Sequence, residues 1–139
     1  RFDQYPIIEL TKYVERFVSD FKPTTVLTHS SADLNRDHKC VHEAVMTACR
    51  PVPGQTVQMI LCMEVASATE WGDRPFKPTC FFGGNHVKKQ EALKAYGAEL
   101  RPMPHARNEI GIMGKMVLRG NSVGALVAEA FELERWVMA

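Results

Sequence analysis

Two short apolar runs flank one amphipathic helix, and that order constrains the fold more than any other feature of the chain. Thr24-Thr25-Val26-Leu27-Thr28-His29 is rich in β-branched residues and follows Pro23, which predicts a strand at 24–29. Lys39 to Arg50 places Val41, Ala44, Val45 and Ala48 on one face and predicts a helix at 37–49. Thr56 to Val65 again reads as a strand, with Val, Ile, Leu and Met on both alternating faces, as a sheet covered by helices on both sides requires. Strand, helix and strand in that order predict a parallel βαβ unit. Upstream, Ile7, Leu10, Tyr13, Val14, Phe17, Val18 and Phe21 recur at helical spacing until Lys22-Pro23 stops them.

Beyond the second strand the pattern is looser. Ala66 to Gly84 holds Gly72, Pro75, Pro78, Gly83 and Gly84, and reads as a long irregular loop of the kind that covers a site. A helix from His86 carries Val87, Ala92, Leu93, Tyr96 and Leu100 up to Pro102 and Pro104. Another, from Ala106 to Arg119, turns Ile110, Met113, Met116 and Val117 inward. The segment 127–137 reads as a closing strand or a short helix, and the alternation of Phe131, Leu133 and Arg135 favours the strand. Without repeat, low-complexity tract or linker, residues 1–139 form a single domain of α/β class.

The 139 residues are 45% apolar and 24% charged, enough to bury a core, and the net charge of +1 forms no basic stripe. Nucleic acid is therefore not the expected partner, and a small molecule is. The longest apolar stretch, Val57 to Ala66, is broken by Gln58 and Glu64 and is too short to span a bilayer. Cys40, Cys49, Cys62 and Cys80 lack the close pairing of a zinc knuckle or redox motif and read as free thiols, which places the chain in the cytoplasm. For Cys40 and Cys49 two roles stay open, small buried residue or nucleophile.

Chemistry concentrates in Asp33-Leu34-Asn35-Arg36-Asp37-His38, where the first strand hands over to a helix N-terminus, the usual place of ligands in open α/β sheets. His38 and His42, four apart, share one helical face, a spacing that zinc sites use; a solvated first turn is the other reading. His29 is either a strand-edge residue or a neighbour of the same space. His105 and Arg107, framed by Pro102 and Pro104, offer a grip for an anion or mark the charged start of a helix. Glu64, Glu70 and Trp71 either line a sugar pocket or combine a packed indole with solvated acids. Met103, Met113 and Met116 are read as core or helix contact.

Thr28 to His38, with the helix ending Thr47-Ala48-Cys49-Arg50-Pro51, resembles the PIG-L/LmbE-like family of zinc-dependent N-deacetylases. Glu64-Val65-Ala66-Ser67-Ala68-Thr69-Glu70-Trp71 is similar to the family's Glu-Val-Pro-Ser-Ser-Thr-Glu-Trp stretch. Lys88 to Arg107 is similar to its Lys-x-x-Ala-Leu, Tyr-x-x-Glu-Leu and Pro-His-x-Arg elements, and Ala128-Glu129-Ala130-Phe131 with Arg135 to its ending. The resemblance spans essentially the whole chain. It implies a Rossmann-like three-layer sandwich with a mostly parallel sheet, one Zn2+, and His38 as a metal ligand. Asp37 takes the place of a supporting aspartate that orients polar groups near the metal. Asn35 stands where many members have a histidine that stabilises the oxyanion; an amide can donate a hydrogen bond there but cannot serve as an imidazolium acid.

The family's Ala-His-Pro-Asp-Asp-Glu signature, which supplies two further zinc ligands and the general base, does not occur in these residues. Arg1-Phe2-Asp3 is similar to the end of an Asp-Asn-Arg-Phe-Asp segment that members carry after that signature. The resemblance therefore implies a C-terminal portion of a deacetylase domain, with its N-terminal part missing and supplied by an upstream segment or a complementary chain. The expected activity is hydrolysis of the acetamide of an N-acetylated amino sugar or its conjugate, with His105, Arg107 and Trp71 toward the substrate. An apolar sheet edge left by the missing part makes a homo-oligomer the expected assembly. A different class stays open, a non-catalytic interaction or regulatory domain that keeps the fold. A nucleotide-binding module is disfavoured because no Gly-rich phosphate loop follows either clear strand.

Overall fold

The computed structural model describes residues 1–138. A 3-10 turn at Phe2–Gln4 precedes α1 (Ile7–Phe21), β1 (Thr25–His29), α2 (Arg36–Ala48), β2 (Met59–Met63), β3 (Cys80–Gly83), α3 (His86–Ala95), α4 (Glu109–Asn121) and β4 (Ala128–Trp136). The strands are hydrogen-bonded in the order β1-β2-β4-β3. Two compact units emerge: residues 1–77 with those from Glu132 onward, and residues 78–131.

In the first unit, β1 and β2 run parallel, with Thr28 opposite Cys62 and His29 opposite Met63, joined by α2 as a βαβ unit demands. α1 ends where Lys22 adopts a left-handed conformation (φ 47) and its N–H returns to the Val18 carbonyl, just before Pro23 removes a donor. Val14 and Val18 of α1 and Val41 of α2 pack against a core of Val45, Cys49, Val57 and Ile60. Tyr13, Phe17 and Phe21, periodic with that stripe, stay largely exposed. The strand expected over Thr56 to Val65 narrows to five residues, because Thr56–Gln58 feed in through Gln58 and Met59 N–H bonds to the Thr24 carbonyl.

In the second unit, β3 pairs antiparallel with the start of β4, Cys80 opposite Phe131 and Gly83 opposite Ala128. Two expectations change here. The Gly- and Pro-rich stretch from Ala66 to Gly84 ends in a strand, and the sheet is mixed rather than mostly parallel. Four residues of strand beside a Gly-Gly pair carry too little periodicity to be read, and their antiparallel partner lies more than forty residues on. Side-chain amides set both helices: Asn85 caps α3 through Lys88 N–H, and Asn108 caps α4 through Gly111 N–H. α4 begins at Glu109 rather than Ala106, and only part of its expected face is inward. Met116 is buried, whereas Ile110 and Val117 are exposed, as is Met103. Gly120 permits close approach of Val127, whose backbone would lie 2.7 Å from a Cβ there.

Among the described residues no helix is long and apolar enough to cross a membrane. All four cysteines are free thiols.

Candidate metal centre

β1 delivers His29 to a tight loop, and α2 returns His38 to the same place. The loop is held by its own short polar side chains: Asp33 N–H donates to the Ser30 carbonyl (3.1 Å), and Ala32 N–H to Ser30 Oγ (3.0 Å). Asn35 caps α2 by accepting from Asp37 N–H (2.9 Å), which leaves its NH2 as the donor end.

Asp33 is completely buried. Its Oδ1 accepts Asn35 N–H at 2.8 Å, and its Oδ2 lies 2.7 Å from Nδ1 of His38. A carboxylate against Nδ1 holds the ring proton there and leaves the lone pair on Nε2, the arrangement that orients imidazole toward a metal. The His29 ring stacks on His38 with centroids 3.7 Å apart and planes 7° from parallel. Its Nδ1 is buried and makes no hydrogen bond among the described residues. Burial, then the neighbouring His38, push the His29 pKa below its ordinary 6.5, against the raising influence of Asp33. The neutral imidazole is thus favoured, and a neutral ring nitrogen is the form a metal binds.

Ligand atoms of His29, Asp33 and His38 all lie within 4.8 Å of one another. Two imidazoles and a carboxylate suit a borderline divalent ion such as zinc, and a buried nitrogen without a partner is costly unless a ligand takes it. The residues present fit a metal at Nε2 of His38, with Asp33 as the group that fixes that ring; the His29 ring, stacked face to face on it, holds its lone pair in a parallel plane and reaches the same ion only by turning out of the stack.

A second network braces the loop from behind. Glu132, on β4 and largely buried, receives Arg74 at both oxygens (2.7 and 3.1 Å), Lys77 N–H (2.8 Å) and Ser30 Oγ–H (2.5 Å). Arg74 also reaches Ser31 Oγ at 2.8 Å. Burial alone would raise the Glu132 pKa, but Arg74, the Lys77 amide and Ser30 outweigh it and hold the carboxyl below 4.5. The 66–77 loop meets the same region closely: a Cβ on Gly72 would fall on the Ala32 carbonyl oxygen.

The residues singled out from sequence are distributed as follows. His38 and His29 come together. His42, though on the same helix, is turned to a different group: its Nδ1 donates to the His29 carbonyl at 2.9 Å and lies 3.7 Å from Cys62 Sγ. Asp37 is partly exposed and accepts Phe2 N–H (2.6 Å) and Asp3 N–H (3.3 Å), tying the 3-10 turn to α2. Trp71 is exposed in the loop beside Gly72. His105 and Arg107 belong to the second unit, where Arg107 N–H donates to His105 Nδ1 (3.0 Å) and its guanidinium pairs with Glu99 (2.7 Å).

Arg74 and Glu132 are residues that sequence reasoning passed over, and Asp33, which opens the segment singled out there, was given no role of its own. Asp33 sits five before His38, off the helical spacing. Ser30 and Glu132 are 102 residues apart, so no local pattern joins them. One signal existed: in β4, Ala128, Ala130 and Glu132 share the buried face, and a charge in that register calls for a partner.

No protein-family model matches this sequence, and no curated protein does. Several solved structures share its fold, among them the following two. One is a conserved protein from Thermus thermophilus, with TM-score 0.67 and 18% identity over 98% of this chain and 62% of that one. The other is the N,N'-diacetylchitobiose deacetylase from Pyrococcus horikoshii complexed with its inhibitor, with TM-score 0.62 and 12% identity over 95% of this chain and 54% of that one. The chain therefore spans less than two thirds of either neighbour, and at these identities the likeness is one of fold: an α/β, deacetylase-like architecture.

Proposed function

We propose that this chain carries part of the active site of a zinc-dependent N-deacetylase acting on the acetamide of an N-acetylated amino sugar or its conjugate. The observation that carries the reading is the buried Asp33 carboxylate on Nδ1 of His38, beside the unpartnered Nδ1 of His29, in a fold shared with a diacetylchitobiose deacetylase.

His38 would hold zinc through Nε2, and His29 would join it only by turning its ring out of the stack. Bound zinc polarises an amide carbonyl and lowers the pKa of water. Asp33 fixes the tautomer and direction of the His38 ring. Asn35 directs its NH2 outward from a capped helix start, as a donor for the oxygen on which charge develops. Arg74 and Glu132 hold Ser30 and Ser31 in place, so that the loop carrying Asp33 does not relax when ligand binds. Asp37 fastens the first turn of α2, and Trp71 is proposed to face the sugar. Both Asp33 oxygens are committed, so Asp33 is assigned to positioning His38 and not to the general base.

The test is acetate release from N,N'-diacetylchitobiose and related N-acetyl sugars by the full-length polypeptide with its natural partners. Activity that requires zinc and disappears in His38→Ala supports the reading. Zinc binding with no acetate release across the panel would favour the alternative, an interaction or regulatory domain of the same fold.

A further inference from the structure

We propose a second metal site, formed by His42, Cys62 and Glu134 and separate from the His29–Asp33–His38 cluster, that takes a thiophilic divalent cation of the zinc type. It does not rest on the hydrolase reading.

The three residues come from three elements of the first unit: α2, β2 and the C-terminal part of β4. Their ligand atoms all lie within 4.8 Å of one another. Cys62 Sγ is 3.7 Å from His42 Nδ1 and 3.8 Å from Glu134 Oε1. Those separations are informative. With zinc–sulfur near 2.3 Å, zinc–nitrogen and zinc–oxygen near 2.0–2.2 Å and a tetrahedral angle, ligand atoms sit about 3.6 Å apart. A thiol donating to a carboxylate at that distance is a weak hydrogen bond; a tetrahedral ion bridging them is a good fit.

The surroundings point the same way. Cys62 is fully buried, and burial together with Glu134 and Glu132 pushes its pKa up to about 12. Glu132 is neutralised by Arg74, whereas Glu134 faces the sulfur, and a dication between the thiol and Glu134 would offset the charge that Glu134 brings. Thr28, opposite Cys62 in the parallel register, points to the same face of the sheet. Its Oγ1 is buried and makes no hydrogen bond among the described residues. A buried hydroxyl without a partner, opposite the thiol in the strand register, is what an ion site with room for a further oxygen ligand looks like. Access comes from the His42 side, since His42 lines a cleft of about 530 Å³ with Ser31, Arg36, Lys39 and Glu43.

Binding balances simply. The thiol loses its proton to solvent as the metal–sulfur bond forms, and the His42 ring proton moves from Nδ1 to Nε2 as Nδ1 turns from the His29 carbonyl to the metal. The ion would tie β2, β4 and α2 together. A structural role follows, because the ligands join three packed elements.

The test is titration of the reduced full-length chain with cobalt(II), which reports thiolate ligation by a sulfur-to-metal charge-transfer band in the near ultraviolet. The expected result is that band in the wild-type protein, present in His38→Ala and Cys40→Ser and absent in Cys62→Ser and His42→Ala. Circular dichroism of Cys62→Ser establishes that it folds, and Glu134→Gln, which leaves the core untouched, is expected to weaken cobalt binding without abolishing the band. No charge-transfer band in the wild-type protein, or a band that survives in folded Cys62→Ser, overturns the proposal. Loss of the band in Cys62→Ser with His38-dependent metal binding intact separates this site from the first.

Discussion

Arg74→Met removes the guanidinium that spans Glu132 and Ser31 while keeping much of the side chain's apolar stem. Glu132 then loses two charge-assisted hydrogen bonds, at 2.7 and 3.1 Å, and keeps those from Lys77 N–H and Ser30. Such bonds contribute about 1.5–3 kcal/mol each. The Arg74 side chain is 40% exposed, so solvent screens part of the pair, whereas Glu132 is 9% exposed and in the folded variant cannot replace the lost bonds with water. Discounting for that screening, the expected loss at neutral pH is about 2–4 kcal/mol, near the lower part of the range for breaking a buried pair. The pH dependence identifies the cause. In the wild-type protein the Glu132 pKa is held below 4.5, so its contribution is present above that value and fades as pH falls through the folded pKa. In Arg74→Met the carboxyl is buried without its counter-charge, its pKa rises, and the variant is relieved as the acid takes up a proton. The gap between the two proteins therefore narrows from pH 7 downward and is smallest once both carboxyls are protonated. Urea denaturation of chelator-treated protein across this range measures it. A gap below about 0.5 kcal/mol, or one independent of pH, refutes the reasoning, since 0.5 kcal/mol is the size of an ordinary surface substitution.

Two further substitutions probe the loop. Gly72→Ala drives a methyl onto the Ala32 carbonyl, so the two loops must part; thermal denaturation is expected to show a loss of about 1–3 kcal/mol, and unchanged stability would contradict the close approach. Asn35→Asp keeps the oxygen that caps α2 but loses the NH2 donor, whereas Asn35→Ala loses both. Stability is expected to fall by about 1 kcal/mol only in Asn35→Ala, and kcat of the full-length enzyme by about 100-fold in both; an Asn35→Asp enzyme with wild-type kcat limits Asn35 to capping.

The first half of the chain was far more legible than the second, and the reason is physical. α1, β1 and α2 each bury one periodic face under short, well-punctuated connections, so apolar spacing and Pro23 mark them within a residue or so. β4 was readable for the same reason, through its alternation. β3 was not, because a four-residue strand next to Gly83-Gly84 has no period to show and exists by virtue of its partner. The resulting mixed sheet follows from that one strand. At the site, the loop position and His38 were legible from the strand-to-helix handover. Asp33 was not, because an acid five residues before a histidine meets it only once the loop folds back on Ser30. Glu132 and Arg74 are joined by packing between distant segments, which sequence spacing does not encode.

The most direct measurement is a crystal structure of the full-length protein grown with zinc, read by anomalous scattering at the zinc edge. A peak bonded to Nε2 of His38, with Asp33 still on Nδ1, is the predicted result. A His38 whose Nε2 carries no metal under saturating zinc, or one bound through Nδ1 with Asp33 displaced, would contradict the assignment of this loop as the metal centre.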